Sequence, residues 1–153
     1  MGVSDSELIQ RLLLAALLGG LLGIERELKQ KAAGLRTNIL IALGSALFTL
    51  MSIELAGTTD DQTRIVAQVV TGIGFLGAGA IMRTDSGVQG LTTAATVWVN
   101  AAVGVAAGGG HYLLAVSATA VAMGVLLLVA PLENAMARRV AEKAKRSGRP
   151  TAD

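Results

Sequence analysis

The sequence predicts an all-α fold: a polytopic membrane helix bundle with five transmembrane helices. Three observations predict it. Apolar residues fill 52% of the 153 positions and charged residues only 16%, against about 25% charged in an average soluble domain. Mean hydropathy is +0.60. The charges that remain are clumped: 17 uncharged residues separate Arg36 from Glu54, 18 separate Arg64 from Arg83, and 47 separate Asp85 from Glu133. A hydrocarbon core needs about 20 helical residues, within a range of about 17–25, so the first two gaps are single spans. A straight helix across the third would be about 70 Å long at about 1.5 Å per residue. That stretch therefore turns once, and Gly108-Gly109-Gly110 is the natural break.

Helix 1 covers about residues 8–25, with Arg11 placed to snorkel toward the headgroups. The first residues carry Asp5 and Glu7 but no Lys or Arg, unlike the basic start of a cleaved leader, so helix 1 is expected to remain in the membrane. Helix 2 covers about 36–56 and helix 3 about 62–82. Helix 4, about 91–108, is rich in Ala, Gly and Thr, which suits a segment surrounded by protein or a re-entrant one. Helix 5 covers about 111–132 and is expected to bend near Pro131. Residues 1–132 form the transmembrane domain and 133–153 a basic tail, a basic amphipathic helix suited to anionic lipid headgroups or a solvated end.

Charge sets the orientation. Five spans put the 25–36 loop, the 83–90 loop and the tail on one side. That side holds 11 of the 13 basic residues, leaving Arg11 and Arg64 on the other. The basic side is expected to be cytoplasmic and the N-terminus outside, in the inner membrane of a bacterium. The pI near 9.4 is then an orientation signal, and nucleic acid is not an expected partner. Zero Cys and a single His, His111, exclude a disulfide scaffold, a thiolate metal site and a multi-His cluster. No catalytic constellation and no cofactor signature is present. Gly72-Ile73-Gly74-Phe75-Leu76-Gly77 matches G-x-G-x-x-G only formally, since no βαβ context surrounds it.

Polar residues in the spans recur on helical faces. Asn38, Ser45, Thr49 and Ser52 share one face of helix 2. Arg64, Gln68 and Thr71 share one on helix 3, and Thr93, Thr96 and Asn100 share one on helix 4 with Gly104. Lipid satisfies none of these groups. Two readings stand: interhelical hydrogen bonds, worth about 0.6 kcal/mol each, or a polar path bounded by helices 2, 3 and 4. The glycines at 19, 20 and 23, at 72, 74, 77 and 79, and at 104 and 108 allow close helix contact. They make a homo-oligomer the expectation, a dimer first.

Charges flank the spans. Arg36 opens helix 2 against its macrodipole, and Glu25 is the expected partner. On the other face Glu54 is expected to pair with Arg64 or Arg11. Arg26, Lys29 and Lys31 read as solvated headgroup-level charges. Asp60 and Asp61 suit the start of helix 3. With Glu54 they are the weak candidates for a divalent cation.

Two stretches are specific enough to name a resemblance: Gly23-Ile24-Glu25-Arg26-Glu27 with Ala33-Gly34-Leu35-Arg36-Thr37-Asn38, and Arg64 to Val70 with Gly72 to Gly79 and Gly90-Leu91-Thr92-Thr93-Ala94-Ala95-Thr96-Val97-Trp98. Over about residues 8–130 the chain resembles the MgtC/SapB family of bacterial inner-membrane proteins. The resemblance implies a five-helix membrane domain, a link to magnesium-limited growth and, in pathogens, a virulence-related role in survival inside macrophages. It also implies the F-type ATP synthase as a partner for some members. Its motifs give weight to Glu25, Arg26, Arg36, Thr37, Arg64, Gln68 and Trp98. Asn38, Thr92 and Asn100 complete the candidate positions. The best-known virulence members carry a soluble cytoplasmic domain beyond the last helix, where this sequence has the basic tail. They often have Asn where this chain has Thr92.

Overall fold

The computed structural model describes residues 3–55, 63–85 and 87–146. They fall into two units, residues 1–122 and 123–153. The order of elements is α1 (Asp5–Leu28), α2 (Leu35–Leu55), α3 (Thr63–Gly79), β1 (Met82–Thr84), β2 (Gly87–Gln89), α4 (Leu91–Gly108) and α5 (Tyr112–Arg146). Among the described residues four stretches are long and apolar enough to cross a membrane: Asp5–Leu28, Leu35–Leu55, Leu91–Gly108 and Tyr112–Glu133. The helix α3, at 17 residues, is about 25 Å long and stands at the short limit for a span, about 17 residues.

The five predicted helices are present, with shifted ends. α1 extends beyond its expected bounds at both termini. α3 stops at Gly79, and the expected 83–90 loop is an antiparallel hairpin pairing Met82 with Gln89, Arg83 with Val88 and Thr84 with Gly87. In the second unit α5 runs on through Pro131 to Arg146 instead of ending near residue 132.

Both short turns of the first unit close helices in the same way. After α1, the Gln30 N–H donates to Glu27 O (3.0 Å) and the Lys31 N–H to Arg26 O (2.9 Å). This is the paired closure of a Schellman turn, which needs a left-handed residue. Gln30 supplies it at φ 52°. After α4, Gly110 does the same at φ 78°, with Gly110 N–H to Ala107 O and His111 N–H to Ala106 O.

α2 is the central element of the first unit. Glycines grip it from two sides. A Cβ on Gly19 of α1 would lie 2.7 Å from both Ala42 Cβ and Asn38 O, and one on Gly23 would lie 2.8 Å from Leu35 Cα. From α4, a Cβ on Gly104 would lie 2.8 Å from Ser45 Cβ, and one on Gly108 would lie 2.8 Å from Ala46 Cα. All are inside the separation of about 3.5–4.0 Å that carbon atoms prefer, so only glycine lets these backbones approach. Around the contact, Ala15, Leu18, Ala42, Ala46, Val103 and Ala115 form the main apolar cluster. α3 leans chiefly on α4. Ile73 joins Ile41, Val97 and Ala101 in a second, smaller cluster.

Candidate functional site

The deepest polar contact joins α2 to α4. Asn38 and Asn100 are both fully buried. The Asn100 Nδ2 donates to Asn38 O (2.7 Å) and Asn38 Oδ1 (3.0 Å). Asn38 Nδ2 in turn donates to Gly34 O (2.9 Å) and to Ala33 O, tying the first turn of α2 to the loop before it. Asn100 Oδ1 is buried with no hydrogen-bond partner among the described residues.

The stripes of helices 2 and 4 therefore meet, as their spacing predicts, and the amides of Asn38 and Asn100 bridge them. Three hydroxyls turn back to their own helices: Thr49 Oγ1 donates to Ser45 O, Thr96 Oγ1 to Thr92 O and Thr119 Oγ1 to Ala115 O, at 2.8, 2.8 and 2.9 Å. A carbonyl one turn back is the acceptor nearest to a Ser or Thr hydroxyl in a helix. In hydrocarbon it suffices.

At the end of the bundle that holds the α1–α2 loop and the hairpin, Glu25 and Arg26 are buried, with 6% and 4% exposure. Arg26 Nη2 donates to Thr93 Oγ1 of α4 (2.9 Å). Glu25 pairs with Lys29 Nζ (2.7 Å) and stands 3.8 Å from Arg26 Nη1. Glu25 Oε2 and Arg26 Nε have no hydrogen-bond partner among the described residues. This corrects two expectations. Arg26 is not a solvated headgroup charge, because its helical phase turns it toward α4. Glu25 does not reach Arg36, which is exposed. The carboxylate at the start of α2 is that of Glu27, whose Oε2 accepts the Leu35 N–H (3.0 Å). It satisfies one of the free amides there and complements the macrodipole.

At the opposite end Arg11 Nη2 pairs with Glu7 Oε1 (2.5 Å), and Nη1 donates to Gly108 O (2.8 Å). The guanidinium thus sits at the carboxyl end of α4, the favourable position for a cation. The expected Glu54 pairings do not form. Arg11 is taken by Glu7 and Gly108, Arg64 is exposed, and Glu54 Oε1 accepts the Val3 N–H (3.0 Å). Asp60 and Asp61 lie outside the described residues. Among the described residues no group of three His, Cys, Asp or Glu side chains is placed to hold a metal ion.

Gln68 and Thr37 do not join the Asn38–Asn100 network. They line a groove of about 540 Å³ between α2 and α3, with Gly44, Ser45 and Gly72. A second cavity of about 470 Å³ flanks the other side of α3 and includes Thr49, Trp98 and His111. Thr92 is exposed. The structure thus pairs Asn38 with Asn100 and, in a separate contact, places Glu25 beside Arg26. Thr37, Arg64, Gln68, Thr92 and Trp98 stand outside both.

Thr93, Glu27, Lys29 and Arg11 are the contacts that charge spacing alone did not find. A signal existed for Thr93, which stands seven residues before Asn100 on the same helical face. For Arg26 it was adjacency to the Gly19–Gly23 contact face, which brings α1 close to its neighbours.

Fold and contacts together define a predominantly helical, multi-span membrane protein with a buried amide pair and a buried Glu-Arg-Thr cluster. The description "MgtC family" matches residues 12–135, and the chain belongs to that family. YhiD of Escherichia coli (strain K12), named as a candidate magnesium transporter, is 45% identical over 128 residues, covering 79% of this chain and 60% of its own length. Protein MgtC of Salmonella typhimurium (strain LT2) is 52% identical over 111 residues, covering 72% of this chain and 47% of its own. Protein MgtC of Brucella abortus (strain 2308) is 49% identical over 118 residues, covering 77% and 49%. The chain thus spans about half the length of the curated relatives it matches. No solved structure matches it at a significant level.

Proposed function

We propose that this chain is an inner-membrane protein serving adaptation to low magnesium, and that it works through contacts with other membrane proteins. The magnesium link rests on the family resemblance and on the name of one relative, YhiD. The regulatory reading rests on one observation: the amides of Asn38 and Asn100, which would line a path between α2 and α4, are bonded to each other at zero exposure. The glycine contacts on either side of α2 leave no width for an ion with its water. The F-type ATP synthase suggested by the family resemblance is the first partner to test. The excess of basic residues beside the α1–α2 loop supports an orientation with that loop in the cytoplasm.

A transport reading has one feature in its favour, the α2–α3 groove with Gln68 in its wall. One experiment separates the two: reconstitution in liposomes carrying Mg²⁺, K⁺ and H⁺ reporters, alongside co-purification from native membranes grown in low magnesium. The regulatory reading expects no flux and a retained membrane-protein partner. Ion flux that is lost on Gln68→Leu overturns it.

A further inference from the structure

We infer that the groove between α2 and α3 is the contact surface for a second copy of this chain, with the two Gln68 amides meeting across a two-fold axis along the membrane normal. The first observation is that the groove runs along about three turns of both helices. Its α2 wall comes from positions 37 to 48 and its α3 wall from positions 65 to 76, at spacings of three and four, so one full face of each helix opens into it. The second is a contrast among the glycines. Gly19, Gly23, Gly104 and Gly108 each meet a neighbouring helix in contact, whereas Gly44 and Gly72, both in the groove walls, have nothing within 4 Å.

The third observation names the occupant. Gln68 is exposed in the groove and makes no hydrogen bond with any described residue. A carboxamide carries two donors and an acceptor, and an acyl chain in the groove would satisfy none of them. A different protein would have to bring its own polar group to that depth. A second copy does so by symmetry, because a two-fold axis along the membrane normal sets each residue at the depth of its twin. The amide is self-complementary, so one Gln68 donates to the other and accepts in return. The inference is independent of whether the protein regulates or transports.

The sequence holds no cysteine, so single cysteines report contact without background. The full chain in native membranes is oxidised with Gln68→Cys, Gly72→Cys or Leu76→Cys on the groove face of α3, and with Leu13→Cys or Leu113→Cys on exposed faces of α1 and α5. Disulfide-linked dimers are expected from the first set and not from the second. In detergent, Gln68→Leu is expected to weaken the dimer roughly three- to tenfold, the range of one interhelical polar contact. Gln68→Asn is expected to retain part of it. Equal cross-linking of both sets, no cross-linking in the first set, a monomer that retains phospholipid, or a Gln68→Leu dimer as tight as the parent would each overturn the inference.

Discussion

Asn100 of α4 holds Asn38 of α2 at two points, its side-chain carbonyl and its main-chain carbonyl. Asn38 is at the same time the residue that fixes the turn between α1 and α2. A single amide pair therefore couples a sequence-distant helix to a local loop. Asn100→Leu leaves Asn38 Oδ1 buried without its donor, a loss of about 1–3 kcal/mol. In a double-mutant cycle with Asn38→Leu, the coupling is expected at about 0.6–1.7 kcal/mol. Unfolding in mixed micelles measures both, and additive losses would disprove the coupling.

The glycines divide into two classes by what lies beyond them. Gly104→Val and Gly108→Val drive a side chain into the α2 backbone, and each is expected to cost at least the about 1–3 kcal/mol of an overpacked core. Gly74→Ala meets open space. It is expected to be neutral or to stabilise by up to about 1 kcal/mol through helix propensity. Thermal melts of the three variants in one detergent check the ordering.

Glu27 caps α2 from the preceding helix. Glu27→Ala should cost about 0.5–2 kcal/mol, the range for losing a helix cap. Glu27→Gln keeps an acceptor oxygen and loses only the charge, about 0.3–1 kcal/mol. Hydrogen exchange at Leu35 reads the effect locally. Unchanged protection in Glu27→Ala would show that the cap is not used.

Gln30 holds a left-handed backbone conformation at φ 52° that a side chain disfavours. Gln30→Gly relieves the Cβ clash, worth roughly 1–2 kcal/mol, set against the added chain entropy of glycine, about 0.5–1 kcal/mol. A small net gain in stability is expected, whereas Gln30→Val should lower it. Melting temperatures of the two variants moving in the same direction would contradict the assigned turn.

The helices were legible in the sequence because charge is excluded from hydrocarbon, and the gaps between Arg36 and Glu54 and after Asp85 reveal that exclusion directly. The hairpin was not, since strands of three residues, Met82–Thr84 and Gly87–Gln89, are too short to show a period. The amides of the site were legible as a stripe, but not their pairing: Asn38 and Asn100 meet while Gln68 faces a groove. Helical phase places a residue on a face, whereas the neighbour of that face depends on how closely the backbones approach. The partners of Glu25 and Arg11 were misjudged for a related reason. Each found a carboxylate or ammonium four residues away in sequence, closer than any group across a loop.

The order in which the helices are made sets a constraint on biogenesis. α1 and α2 are joined by a short turn and meet through Gly19 and Gly23, so that pair can dock as soon as both have left the translocon. α3 is synthesised next, yet the surface it chiefly leans on belongs to α4, which does not yet exist. The nascent chain therefore leaves the flank of α2 vacant while α3 waits in lipid, and Gly104 and Gly108 fill it before α5 is made.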